Sequence, residues 1–136
     1  MKQIAVLGAG SWGTALAHVL AENQFEVILW GRSREQADEI NNLHTNRKYL
    51  SAMRLHPALK ATTQLEKALD CAEMVFFAVP SQALRSLCQR VRPLLSADRV
   101  ILVHAVKGLE QQSGNRMSEV ITSELGESFN SRLAVL

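Results

Sequence analysis

The stretch Val6–Leu16, VLGAGSWGTAL, places three glycines at the spacing G-x-G-x-x-G, with a tryptophan directly before the third. Ahead of it, Gln3–Leu7 is a short apolar run of the kind a strand buried on both faces requires. Behind it, Ser11–Asn23 carries Trp12, Ala15, Leu16, Val19 and Leu20 at helical spacing. A glycine turn between strand and helix is the setting in which this spacing has chemical meaning. Gly8 permits a tight exit from the strand, Gly10 leaves room for a pyrophosphate to approach the backbone, and Gly13 lets the helix pack close to the strand. Unpaired N–H groups at the helix start, with the positive end of its dipole, then hold the phosphates. The plainer alternative is a glycine-rich turn that binds nothing.

Outward from this stretch, strand-like and helix-like segments alternate. Glu26–Trp30 (EVILW) reads as a strand broken by Gly31, and Ser33 caps a helix to about Leu43 with Ala37 and Ile40 inward. The pattern dissolves from His44 to Ala61, the longest irregular stretch, and such stretches are often functional. Lys60–Thr62 is a short strand candidate, and Thr63 to Glu66 has capping-box spacing ahead of a helix to about Asp70. Met74–Val79 is the strongest strand signal. Pro80 ends it, with Ser81 expected to cap a helix to about Leu94. Val100–Val103 follows as a strand, Lys107–Glu110 as a loop, Asn115–Leu125 as a helix stopped by Gly126, and Arg132–Leu136 as a last strand. This alternation predicts an α/β fold of Rossmann type: a doubly wound, mainly parallel sheet with helices on both faces, in three layers.

Composition narrows the class. The 136 residues, 47% hydrophobic and 21% charged, suit one domain, residues 1–136. A net charge of +2 with scattered basic residues argues against a nucleic-acid partner. Cys71 and Cys88 lack metal or disulfide spacing and read as free, mostly buried thiols; the four histidines show no metal-ligand spacing, so no metal is expected. The N-terminal apolar run is too short for a signal peptide or membrane span, which points to the cytoplasm. The final apolar run Ala134–Leu136 creates the expectation of an N-terminal part of a longer protein.

The cofactor choice turns on the end of the second strand. NAD-selective domains carry Asp or Glu there, on the ribose 2′-OH. Here the strand runs into Leu29-Trp30-Gly31-Arg32-Ser33-Arg34, with no carboxylate before Glu35. Arg32 or Arg34 is placed to pair with a 2′-phosphate, which favours NADPH or use of both NADPH and NADH. The alternative is that these arginines are solvated at the start of the helix. Two later strand ends also face the ligand side of such sheets. Pro80 and Ser81 would border the nicotinamide half of the cofactor, or form an ordinary turn. Lys107, beside Gly108, would reach a phosphate or polarise a carbonyl, or be a surface lysine.

Taken together, GAGSWGTALA, LWGR after the second strand, the loop Asn46–Leu50, AVPS and VKGLE resemble the bacterial NAD(P)-dependent glycerol-3-phosphate dehydrogenases across nearly the whole chain. That resemblance implies reversible reduction of dihydroxyacetone phosphate to sn-glycerol 3-phosphate, for phospholipid synthesis, with this chain as the cofactor-binding part. It implies cofactor contacts by Ser11, Trp12, Arg32 and Tyr49, and contact with both cofactor and substrate by Lys107. It further implies a helical second domain that brings the proton-transfer lysine, a homodimer of the full-length protein, and an inactive 136-residue piece. One departure lies at Tyr49-Leu50-Ser51-Ala52, where the family often has Pro-Gly after Tyr-Leu. Two other readings share the glycine loop: the cofactor domain of a ketopantoate, hydroxyacyl or pyrroline-carboxylate reductase, and a non-catalytic module that senses dinucleotides.

Overall fold

In the computed structural model, which describes residues 2–136, strands and helices alternate along the chain. The order is β1 (Gln3–Leu7), α1 (Ser11–Glu22), β2 (Glu26–Trp30), α2 (Arg34–Leu43), β3 (Thr45–Asn46), β4 (Leu50–Arg54), β5 (Lys60–Thr62), α3 (Leu65–Leu69), β6 (Met74–Phe77), α4 (Ser81–Val91), β7 (Ile101–His104), α5 (Met117–Leu125) and β8 (Leu133–Val135). Six strands form one sheet in the order β5-β2-β1-β6-β7-β8, and every pairing in it is parallel. The chain winds outward from β1 in one direction and then, from β6 on, in the other, which makes the gap between β1 and β6 the topological switch point.

The apolar runs fill two cores because strand side chains alternate between faces. Ile4, Val6, Val27, Leu29, Phe76 and Val103 pack with Ala17 and Ala21 of α1, Ile40 of α2, and Leu55 and Leu59. Ala5, Leu7, Val75, Phe77 and Leu102 pack on the other side with α3, α4 and α5, through Leu65, Leu84, Leu87, Val91, Val120 and Ile121 among others. Both faces of β1 are therefore covered, which explains why its sequence is a continuous apolar run and not an alternating one. The three-layer Rossmann-type sandwich is the architecture that the alternation predicts.

Several local expectations are corrected. The irregular stretch His44–Ala61 contains an antiparallel hairpin, β3 with β4, with a register irregularity at Thr45 and Asn46. Ser51 and Ala52, the departure noted after Tyr49-Leu50, lie inside β4. The box proposed from Thr63 to Glu66 does not form: α3 starts at Leu65, and the Thr62 hydroxyl accepts from the Gln64 N–H. Ser81 is the first residue of α4 rather than its cap; Pro80 holds the cap position without a side-chain bond. That helix ends at Val91, and a 3-10 turn through Pro93 follows, because proline breaks the α-helical ladder. Helix α5 starts two residues later than expected, at Met117, where the Arg116 N–H donates to Glu119. Cys71 is exposed, while Cys88 is fully buried, and burial pushes its thiol up to about 12. Ser33 caps α2 as expected, accepting from the Gln36 N–H at 3.2 Å.

The position of α1 rests on close packing at two glycines. Gly8 adopts φ +122°, and a side chain there would collide with the Ala78 carbonyl. A Cβ on Gly13 would fall on the Gly8 carbonyl oxygen, a backbone atom that cannot yield without moving the strand exit. Gly13→Ala is thus expected to lower the melting temperature by about 5 °C or more, by overpacking. A thermal scan that leaves the melting temperature unchanged would show that α1 and β1 have room to separate.

Candidate functional site

The loop between β1 and α1 sits at the switch point, at the C-terminal edge of the sheet. Leu7 pairs with Trp30 on one side and Phe77 on the other, so the three strand ends are level there. Gly8 donates to the Trp30 carbonyl at 2.9 Å, and Ala78 donates to the Leu7 carbonyl at 2.8 Å, which ties all three exits together. Gly10, at the helix N-cap, differs from its two neighbours: a Cβ there would meet no atom within 4 Å. Its backbone, φ −76° and ψ −168°, is open to any residue, so the empty volume beside it is what glycine preserves. Gly13 and Gly8 serve packing; Gly10 faces free space at the positive end of a 12-residue helix.

The other expected site residues fall around this edge. Ser11 and Trp12 are exposed in the first turn of α1, and Trp12 is 54% exposed, so it is not a core residue. Tyr49 is exposed in the β3–β4 turn, and its carbonyl accepts from the Ser11 hydroxyl at 3.2 Å. The structure thus brings Ser11 and Tyr49 together across 38 residues of sequence. Arg32 is exposed just beyond β2 and makes no ion pair among the described residues, whereas Arg34 pairs with Asp38 one turn along α2. Pro80 is exposed at the exit from β6, and Lys107 beyond β7, where its Nζ donates to the Leu136 main-chain oxygen at 3.1 Å. All of these positions lie at or beyond strand C-termini. Two cavities of about 500 and 510 Å³ open instead near the N-terminal edge, one around Phe25, Val27, His56 and Lys60, the other around Asp70, Cys71 and Arg99. Neither borders the helix N-terminus or the glycine loop, and parallel sheets of this class take ligands at the other edge.

Polar residues to which the sequence reading gives no site role of their own support the loops. Asn46 is fully buried; its Nδ2 donates to the Ala9 carbonyl at 3.2 Å and to the Thr14 hydroxyl at 2.9 Å. Gln36 donates to the same Ala9 carbonyl at 2.7 Å and to Asn46 Oδ1 at 3.2 Å. Glu39 accepts from the main chain of Arg47, then from Thr45 and the Arg47 side chain, which keeps its carboxyl below the usual range and fixes the hairpin to α2. On the far side of the site, Arg85 of α4 grips Glu110 through two bonds of 2.8 Å and Glu124 through one of 2.6 Å. Glu110 closes the loop that begins at Lys107. No periodicity marks Asn46, Gln36 or Arg85, since their partners are distant in sequence. Two signals in the sequence mark Asn46: the length of the 44–61 stretch and its place at the head of the Asn46–Leu50 motif.

Sheet order, switch point and glycine turn together define a nucleotide-binding domain of the Rossmann class. Residues 3–136 match the family described as NAD-dependent glycerol-3-phosphate dehydrogenase N-terminus, and the chain belongs to that family. It is 50% identical over 137 residues to the glycerol-3-phosphate dehydrogenase [NAD(P)+] of Enterococcus faecalis, a match covering 100% of this chain and 40% of that protein. The enzyme of the same name from Macrococcus caseolyticus is 44% identical over 125 residues, 92% of this chain and 37% of the relative. Among solved structures, glycerol-3-phosphate dehydrogenase from Coxiella burnetii superposes with a TM-score of 0.85 at 36% identity, covering 93% of this chain and 38% of the other. The chain therefore spans about two fifths of the length of these relatives.

The Arg85–Glu110 pair gives a pH signature. Hydrogen bonds from Arg85, then from Ser113, hold the Glu110 carboxyl down at about 2 from 4.5. A carboxyl lowered on folding stabilises above the unfolded value, and that contribution fades as pH falls toward the folded one. Glu110→Gln should lower the melting temperature at pH 7, with the gap to wild type narrowing as pH drops from 4.5 toward 2. A gap independent of pH would mean that charge is not what holds this loop. At Gly10, by contrast, Gly10→Ala should leave the melting temperature within about 2 °C of wild type and weaken dinucleotide binding at least about tenfold, read by calorimetric titration.

Proposed function

We propose that this chain is the cofactor-binding part of an enzyme that interconverts dihydroxyacetone phosphate and sn-glycerol 3-phosphate with NADPH or NADH, NADPH being preferred, for glycerophospholipid synthesis. The observation that carries the cofactor reading is the open N-terminus of α1 at the switch point, with bare backbone at Gly10. Family membership and Lys107 at the neighbouring strand end support the substrate reading. A helical second domain would complete the substrate site, and the full-length protein would act as a cytoplasmic homodimer. No helix among the described residues is long and apolar enough to cross a membrane.

The residues present suit such a cofactor. The free N–H groups of the Gly10–Gly13 turn would hold the pyrophosphate, with Ser11, Trp12, Tyr49 and Pro80 lining the cofactor's path. Arg32, exposed and without an ion pair among the described residues, would take the 2′-phosphate in a position where an acid would repel it. When bound, the reduced nicotinamide supplies the hydride that converts the ketone to an alcohol. Lys107 would place its positive charge beside the substrate phosphate or the ketone oxygen, stabilising the negative charge that develops there. No residue of this chain is assigned the proton transfer, which the proposal gives to a lysine of the second domain.

Steady-state reduction of dihydroxyacetone phosphate by the full-length enzyme tests this. Lys107→Met should lower kcat/KM for the ketone about 100-fold or more, the scale of losing one donor at a developing oxyanion. Arg32→Ala should raise KM for NADPH about tenfold and leave that for NADH within about twofold. A wild-type enzyme inactive on this ketone but active on another would overturn the substrate assignment.

A further inference from the structure

We propose that Asn46 and Gln36 are positioning residues for the anion-binding loop: they lock the orientation of the Ala9–Gly10 peptide. This rests on the reading that the glycine turn holds a pyrophosphate. A trans peptide is planar, so its carbonyl and the following N–H point in opposite directions. Asn46 and Gln36 both donate to the Ala9 carbonyl, at 3.2 and 2.7 Å, and hold it toward the interior. The Gly10 N–H is thereby held on the other side of the peptide, and no hydrogen bond among the described residues takes it up. A flip of this peptide would present a carbonyl oxygen where the helix dipole invites an anion, turning attraction into repulsion. Glycine at position 10 makes such a flip easy for the backbone, so the turn that best admits a phosphate also needs an external brace.

The brace is built to a higher standard than a surface contact. Asn46 is fully buried and its amide is used at both ends: Oδ1 accepts from Gln36, and Nδ2 donates to Ala9 and to Thr14 Oγ1. Thr14 in turn donates its N–H to the Gly10 carbonyl at 3.0 Å, so Asn46 spans the turn from its first residue to the first helical hydrogen bond. A buried amide with this many partners is costly to misplace, which is what a positioning element requires. The β3–β4 hairpin, remote in sequence from the glycines, exists at this point to deliver Asn46 and the Tyr49 carbonyl to the loop.

The test is equilibrium titration of the purified full-length protein with NADPH and, separately, with adenosine 2′-monophosphate, which has no pyrophosphate. Gln36→Met keeps the length of the side chain and removes both donors; Asn46→Ala removes the buried amide. Each should weaken NADPH about five- to tenfold, the scale of one lost hydrogen bond. Adenosine 2′-monophosphate should stay within about twofold of wild type, which general loosening of the fold would not allow. If Asn46→Ala does not fold, Gln36→Met alone decides. Equal weakening of both ligands, or NADPH binding at the wild-type level in a variant, would overturn the positioning role while leaving the cofactor reading intact. A wild-type protein that bound no dinucleotide would instead overturn the cofactor reading, and this inference with it.

Discussion

The structure depends on one close approach, that of Gly13 in α1 to the Gly8 carbonyl at the end of β1. Only a residue without Cβ permits it, and the chain supplies glycine on both sides of the contact. Because β1 is central in the sheet, the contact sets α1 against β1 and β2 at once. That contact aims the helix N-terminus at the switch point. The outer strands and the second helical layer then have a fixed frame on which to wind. A helix displaced by one methyl group would still be a helix, but its free N–H groups would no longer start beside the open space at Gly10.

Around that frame the site is assembled from segments far apart in sequence. The hairpin and α2 brace the first loop through Asn46, Gln36 and the Ser11–Tyr49 bond. An ion-pair cluster on α4 and α5 holds the loop after Lys107. Both devices use polar groups where a loop edge offers little apolar area to bury. They differ in kind. The first is a neutral network centred on the buried Asn46 amide, and it stabilises only if complete. The second is a partly exposed charge cluster, which salt and acid weaken.

Much of the fold was legible in the sequence because its strands are buried on both faces and so write themselves as unbroken apolar runs: IAVL, EVILW, MVFFAV. The glycine spacing was legible for a similar reason, since steric exclusion leaves no other residue type. What was not legible followed from long-range geometry. The β3–β4 hairpin has mixed burial, with no alternation strong enough to announce a strand. Asn46 reads as a loop asparagine until its fold places it under Ala9. Cys71 reads as a buried thiol until the turn after α3 exposes it. The cap expected at Ser81 fell to Pro80, because two adjacent residues both suit a helix start.

The central claim is that the exposed face beside the glycine turn is where the nicotinamide dinucleotide lies. A tryptophan-fluorescence titration with NADPH addresses it directly, because the two indoles report different places: Trp12 is 54% exposed beside the turn, and Trp30 is 4% exposed in the core. The account predicts saturable quenching that disappears in Trp12→Phe. Quenching that persists undiminished in Trp12→Phe would put the cofactor elsewhere on the molecule and contradict the account.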